Sequence, residues 1–317
     1  MGRFLIQRLF QTLIVVIIVS IIIFGAMRIL PGDPILIYIP EEQLYQYSPE
    51  QIEELRHELG LDRNIAVQYI DWIGGIVRGD FGESPVYKAP AGDVIFRRLP
   101  ITMSLGMIAF VLHLIVGIPL GIIAAVKRNK WEDVVATFLA NLGVTVPIFW
   151  LGILMVYLFG IYLNWLPTFG YTSPLENFSL FLRQAIMPVI CLTVFGTASS
   201  ARQTRSALLE VIQQDYIRTA WAKGLTEQNV VFRHALKNSL IPVITLQGFA
   251  FKNLVGGSVL VESVFNIPGM GRLAVDSMIA KDFGIVQGVM LIIALMVCLA
   301  NLLVDILYGW VDPRIRY

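Results

Sequence analysis

The sequence predicts an all-α, polytopic membrane protein with six transmembrane helices, and three observations carry the prediction. The 317 residues are 56% hydrophobic and only 15% charged, against about a quarter charged in soluble domains. The apolar residues gather in six runs, 9–29, 101–126, 134–162, 185–203, 239–261 and 285–309, and about 20 helical residues cross the hydrocarbon of a bilayer. Lysine and arginine are dense in one set of short loops and sparse in the other, as they are when the first set faces the cytoplasm. Mean hydropathy is +0.70. A net charge of +1 gives no general attraction to nucleic acid or acidic ligands. Cys191 and Cys298 both lie in apolar runs, so no disulfide framework is expected.

Residues 1–30 hold the N-terminus and the first span. MGRFLIQRLF begins like a signal peptide, but the apolar run is long and Leu30-Pro31-Gly32-Asp33-Pro34 offers no small-residue cleavage site. An uncleaved span follows, with Arg28 snorkelling to the interface. Residues 31–100 form a small extracytoplasmic helical element. Ser48-Pro49-Glu50-Gln51 is a capping box with proline at the first helical position. Its helix ends at Gly60, a C-cap. Tyr69, Ile70, Trp72, Ile73 and Ile76 suggest a second short helix over 67–77. The Gly- and Pro-rich segment 79–100 reads as loop.

Spans two to six occupy the rest. Pro119, Pro147 and Pro188 fall near or inside spans, which membrane helices tolerate. Arg3 and Arg8, then Lys127, Arg128 and Lys130, then Arg205, Arg218, Lys223, Arg233 and Lys237, then Arg314 and Arg316 mark one side. Arg183, Arg272 and Lys281 lie on the other. Both termini and the loop after span four are therefore expected in the cytoplasm.

No site for chemistry is evident. G-x-x-x-x-G-K-[ST], H-E-x-x-H and G-x-S-x-G are all missing, and His57, His113 and His234 are scattered. Polar residues within spans are the next candidates, because lipid penalises them. Lys252 and Asn253 either line a water-filled path, or Lys252 snorkels and anchors its helix. His113 and Asn141 either line the same path or make interhelical hydrogen bonds. Gly117-Ile118-Pro119-Leu120-Gly121 permits close packing or a kink, and Gly256-Gly257 offers a small contact face.

The remaining polar stretch is 205–238. Ser206–Ala222 has helical periodicity, Gly224 breaks it, and Thr226 can cap a second short helix with Val230, Val231, Phe232 and Leu236. Two short helices bent at a glycine make an amphipathic knob. It lies on anionic lipid or docks a soluble partner.

Tyr216-Ile217-Arg218-Thr219-Ala220-Trp221-Ala222-Lys223-Gly224-Leu225, followed by Arg233-His234-Ala235-Leu236-Lys237-Asn238, resembles the EAA loop of bacterial ABC importer permeases in their dipeptide/oligopeptide/nickel branch. Arg218-Thr219-Ala220 stands where many families have Glu-Ala-Ala, which is itself usual in that branch. Leu30–Pro34, Gly60-Leu61-Asp62 with Gln68-Tyr69, Gly79–Ser84, Glu262–Gly271 and Asp312–Arg316 resemble further stretches of the B-type subunit. Asn64 and Phe251-Lys252-Asn253 are less usual.

The resemblance implies a type I ABC importer fold, with 101–317 as core permease domain and 205–238 as coupling loop. It implies a multi-pass subunit of a bacterial or archaeal cell membrane, paired with a C-type permease subunit, two cytoplasmic ATPase subunits and an extracytoplasmic solute-binding protein. ATP and magnesium would sit on the ATPases, so this chain would be neither an enzyme nor a cofactor carrier. Tyr216, Ile217, Arg218, Ala220, Trp221, Lys223, Gly224 and Arg233 would form the ATPase contact. Oligopeptides or dipeptides are the expected cargo, with nickel chelates or glutathione as alternatives inside the family. An ion-coupled secondary transporter is the alternative outside it; it would require ionisable groups along the path, where only Lys252 and His113 are candidates, and the lack of a clear carboxylate in the middle of a span argues against it.

Overall fold

Apolar sequence becomes helix almost throughout, because in hydrocarbon each backbone N–H and C=O must find its partner within the chain. The computed structural model describes residues 2–29, 35, 46–58 and 60–311, and their side chains except at 2–5, 241, 245, 246, 248–257 and 307–311. The expected motifs at Leu30–Pro34 and Asp312–Arg316 fall outside the described residues, as do the packing contacts of Gly256-Gly257.

Among the described residues, four helices contain stretches long and apolar enough to cross a membrane: Ile6–Ile29, Ala91–Val126, Phe178–Ile212 and Phe283–Ile306. Trp131–Thr145 and Ile148–Tyr162 make a fifth candidate, broken by a 100° bend. The sequence reading has 134–162 as a single run. Pro147 explains the break: it has no N–H to give, and it pushes Val146 to an extended backbone at ψ 123°. Run 239–261 lies within the helix Leu236–Val264.

In order, the helices are Gly2–Ile29 (α1), Pro49–Glu58 (α2), Ile65–Val77 (α3), Ala91–Val126 (α4), Trp131–Thr145 (α5), Ile148–Met155 (α6), Phe178–Ile212 (α7), Asp215–Ala222 (α8), Glu227–Asn229 (α9), Leu236–Val264 (α10), Met270–Ile279 (α11) and Phe283–Val311 (α12). α6 continues as a π-helical turn over Val156–Tyr162, and α9 passes into α10 through another over Val230–Ala235.

The chain divides into two units. The first comprises Met1–Thr12, Thr102–Ile267 and Val297–Tyr317. Within it α7 is the central post, with α5, α6 and α10 packed along it. Small residues set the spacing, as is usual where lipid gives no hydrophobic drive between helices. A Cβ on Gly121 would lie 2.5 Å from the Ala201 carbonyl oxygen, and one on Gly117 would lie 2.8 Å from that of Thr197. The glycine pair of α4 therefore serves close approach to α7, as one of the two sequence readings has it. Arg8 of α1 pairs with Asp305 of α12 at 3.0 Å.

The second unit comprises Leu13–Ile101 and Pro268–Met296. The capping box forms as expected: Gln51 N–H donates to Ser48 Oγ at 3.3 Å, and Ser48 N–H donates to Gln51 Oε1 at 2.9 Å. Gly60 takes φ +64°, and Leu61 and Gly60 N–H close onto the carbonyls of Arg56 and His57. This is the two-bond glycine cap of a helix end. Asn64 caps α3 by accepting from Ala66 N–H at 2.9 Å.

Segment 79–100 is not the loop expected. Glu83–Ser84 and Ala89–Pro90 pair as a short antiparallel hairpin, and α4 starts at Ala91, ten residues before the predicted span. Burial explains the early start: Phe81, Ala91 and Ile95 form a core with Met270, Leu273, Ala274, Ile285 and Val289. The loop before span six likewise contains a helix, α11. Asp282 caps α12 by accepting from Ile285 N–H at 3.2 Å, and it also accepts a bond from the Ser84 hydroxyl.

Candidate coupling site

α7 runs past its apolar portion and ends at Ile212, where Gln213 and Gln214 interrupt it. The expected single helix over 206–222 is thus two pieces, the last turns of α7 and the separate α8. Asp215 in the first turn of α8 sits where the helix dipole favours an anion. Gly224 takes φ +77°, and its N–H bonds to the Trp221 carbonyl at 2.9 Å. Thr226 precedes α9 with an extended backbone, but its side chain makes no capping bond, contrary to expectation. Nor is the second helix free-standing, because it winds directly into α10.

A small core closes the knob. Ile217 and Ala220 of α8 meet Val230, Val231 and Ala235, and this cluster packs on Ala125 of α4 and Leu208 of α7. Ile217 is fully buried. The eight predicted contact residues therefore divide. Ile217 and Ala220 face inward and hold the knob to its own chain, so they are not available to a partner in this arrangement. Tyr216 and Trp221 are 45% and 41% exposed. Arg218, Lys223, Gly224 and Arg233 are also exposed, joined by Phe232, which the sequence reading placed in the helix but not in the contact. The Tyr216 hydroxyl accepts a bond from Asn238 Nδ2 at 2.9 Å, which ties α8 to the start of α10. Arg218 meets Asp215 at 3.6 Å, with side chains 71% and 98% exposed, so the pair adds little stability. The exposed residues of the knob thus include three aromatic rings, Tyr216, Trp221 and Phe232, and three cations, Arg218, Lys223 and Arg233.

Behind the knob, Arg205 of α7 grips Asp133 of α5 with two bonds, 2.7 and 2.9 Å. Asp133 also accepts from Asn129 N–H at 3.0 Å. This clamp fastens the turn between α4 and α5 to the helix that carries the knob. Sequence reasoning counted Arg205 only as a loop charge and missed Asp133, because the partners are 72 residues apart.

The family model for the inner membrane component of binding-protein-dependent transport systems matches residues 117–317, and the model for the N-terminal part of such components matches residues 1–106. The chain belongs to this inner membrane component family. The relatives of this transport component extend over its full length. It is 43% identical over 317 residues, all of both chains, to a Brucella abortus (strain 2308) protein whose name assigns it to a peptide transport system. It is 37% identical to the oligopeptide transport system permease protein AppB of Bacillus subtilis over 320 residues, with both chains covered entirely. It is also 37% identical to the dipeptide transport system permease protein DppB of Escherichia coli K12, with 100% of this chain and 99% of that one covered. In fold, it superposes on a chain of the inward-facing MetNI methionine ABC transporter with a TM-score of 0.58 at 18% identity, covering 69% of this chain and 96% of that one. It is therefore a multi-pass membrane protein.

In this inner membrane component the path candidates separate. His113 is completely buried, and its Nε2 donates to Gln247 Oε1 of α10 at 2.8 Å. The Gln247 amide in turn donates to the Val243 carbonyl at 3.0 Å. Gly196 of α7 makes room, since a Cβ there would sit 2.9 Å from the imidazole. This is an interhelical hydrogen bond, as in the second of the two sequence readings. Asn141 is exposed on α5. The side chains of Lys252 and Asn253 fall outside the described residues. The buried carboxylates among the described residues, Asp133, Glu262 and Asp282, all stand at helix ends. Glu262, two residues before α10 ends at Val264, accepts from the Thr102 hydroxyl at 2.7 Å.

Proposed function

We propose that this chain is one permease subunit of an ATP-driven importer of oligopeptides or dipeptides. The observation that carries the reading is the packed, bent knob over 213–238, whose apolar side is used internally and whose aromatic and cationic side is left open. The full-length similarity to named peptide permeases supports the cargo. Nickel chelate and glutathione importers of the same family remain the second reading.

In this reading six spans cross the membrane, with α10 and the bent α5–α6 pair among them. The Arg8–Asp305 bridge supports both termini lying on one side, which the loop charges make the cytoplasm. A C-type permease subunit completes the membrane part, and an extracytoplasmic solute-binding protein delivers the cargo. Two ATPase subunits hold ATP and magnesium and receive the knobs. When they close, the knob moves as a packed body and pulls α7 and α10 with it. Tyr216, Trp221 and Phe232 supply apolar contact, and Arg218, Lys223 and Arg233 orient the docking. Ile217 and Ala220 stiffen the lever from within. Asn141, Lys252 and Asn253 face the solute path when it opens. Helix-end carboxylates held by hydrogen bonds give no mid-span proton carrier, which argues against ion coupling.

The test is the assembled transporter in vesicles. Trp221→Ala with Phe232→Ala should retain insertion and lose peptide uptake together with peptide-stimulated ATP turnover. Uptake that continues without any ATPase subunit would overturn the reading.

A further inference from the structure

We propose that α3 lies in the membrane boundary itself, with the flank formed by Ile70, Ile73 and Val77 against lipid acyl chains, and not in the water beyond. The first observation is depth. The Tyr69 hydroxyl is 2.8 Å from Ser20 Oγ, and the Phe24 ring centroid is 5.6 Å from both the Tyr69 and Trp72 rings. Ser20 and Phe24 precede the end of α1 at Ile29 by nine and five residues, roughly 13 and 7 Å along the helix. α3 therefore rides beside the last turns of an apolar span. Interfacial helices bury their apolar face to about the same depth, 5–10 Å.

The second observation is how α3 distributes its residues. At roughly 100° per residue, Tyr69 and Trp72 share the side that covers α1, and Ile76 packs instead on the core around Phe81. Ser20 and Phe24, the residues they cover, are 1% and 4% exposed. Gln68 and Asp71 share a polar side. Gln68 Nε2 donates to the carbonyls of Leu61 and Arg63, and Asp71 pairs with Arg63 at 3.0 Å. The flank between them is apolar and open, with Ile70 64% and Val77 82% exposed. It continues the lipid-facing surface of α1, where Leu13, Ile17 and Ile21 are about half exposed. The occupant consistent with that continuity is acyl chain. Arg28, stacked over Phe24 at 5.2 Å, marks the headgroup level.

The inference does not depend on which solute is carried. A nitroxide label is placed at Ile70→Cys or Val77→Cys, with Arg78→Cys as the aqueous reference, in a Cys298→Ala background. The full assembled transporter is reconstituted in phosphatidylcholine–phosphatidylglycerol vesicles. Both test positions are exposed, so folding is retained. The ratio of collision with oxygen to collision with a water-soluble nickel chelate should be several-fold higher at Ile70 and Val77 than at Arg78. Equal ratios at the three positions would place α3 in water and overturn the proposal. Labels shielded from both reagents, in the transporter alone or after addition of the solute-binding protein, would show a protein on this flank and overturn it equally.

Discussion

Gly224 offers a perturbation whose meaning can be worked out from the structure. A side chain there must accept a left-handed backbone, which costs about 1–2 kcal/mol for an ordinary L-residue and less for Asn or Asp. No heavy atom of the chain, beyond its sequence neighbours, lies within 4 Å of the place a Cβ would occupy. Opposing this strain is the core of the knob, in which Ile217 and Val230 are fully buried and Val231 is 3% exposed. Burial of each contributes roughly 1.5–3 kcal/mol, so together they exceed the strain. Gly224→Asp should therefore leave the knob folded, and any large loss of function has to come from a neighbour outside this chain. The expected outcome is normal insertion, unchanged protease resistance of 205–238, and loss of peptide uptake and coupled ATP turnover in reconstituted vesicles. Gly224→Asn should fail equally, because close approach and not charge is the constraint. Normal uptake by Gly224→Asp would refute the coupling assignment. Loss accompanied by rapid cleavage of the segment would refute the energetic reasoning.

Ile217→Ala should act differently from the surface changes. It removes buried volume, costs about 2–5 kcal/mol, and should make 213–238 protease-sensitive before uptake is measured. Arg205→Ala leaves the Asp133 carboxylate buried without its partner, at a cost on the order of 3 kcal/mol, toward the low side because Arg205 is 30% exposed. The double change with Asp133→Ala should be less harmful than the two single costs added, read as melting temperature in detergent. Gly121→Val drives atoms into the Ala201 backbone and should prevent assembly, whereas Gly25→Ala, with nothing within 4 Å, should raise the melting temperature slightly. Asn64→Ala should cost about 1 kcal/mol through the lost cap of α3, seen as faster amide exchange over 65–68.

What could be read from the sequence was what local chemistry decides. The apolar runs, the capping box at Ser48, the glycine cap at Gly60 and the break at Gly224 each depend on a few neighbouring residues. The early start of α4 was hidden because Pro and Gly around 79–100 argue for loop, while the burial of Ala91 and Ile95 against α11 and α12 is tertiary. The inward turn of Ile217 and Ala220 was hidden for the same reason. Periodicity shows that α8 has an apolar face, but only the packing on Ala125 and Leu208 shows that its own chain occupies that face. Asp133 with Arg205, and His113 with Gln247, join residues 72 and 134 positions apart. No spacing rule reaches across such separations.

The π-helical turn at Val230–Ala235 sets an angular index for everything before it. A π turn holds one more residue than an α turn for the same closure. The residue count between Gly224 and the long helix α10 therefore fixes the azimuth at which Trp221, Lys223 and Arg233 point. Removing one residue from this turn would restore even winding while rotating the preceding segment by roughly 100° about the α10 axis. The contact face would keep its composition and lose its heading. In this part of the chain, length is as strict a determinant as residue identity, and a single-residue deletion is a sharper perturbation than most substitutions.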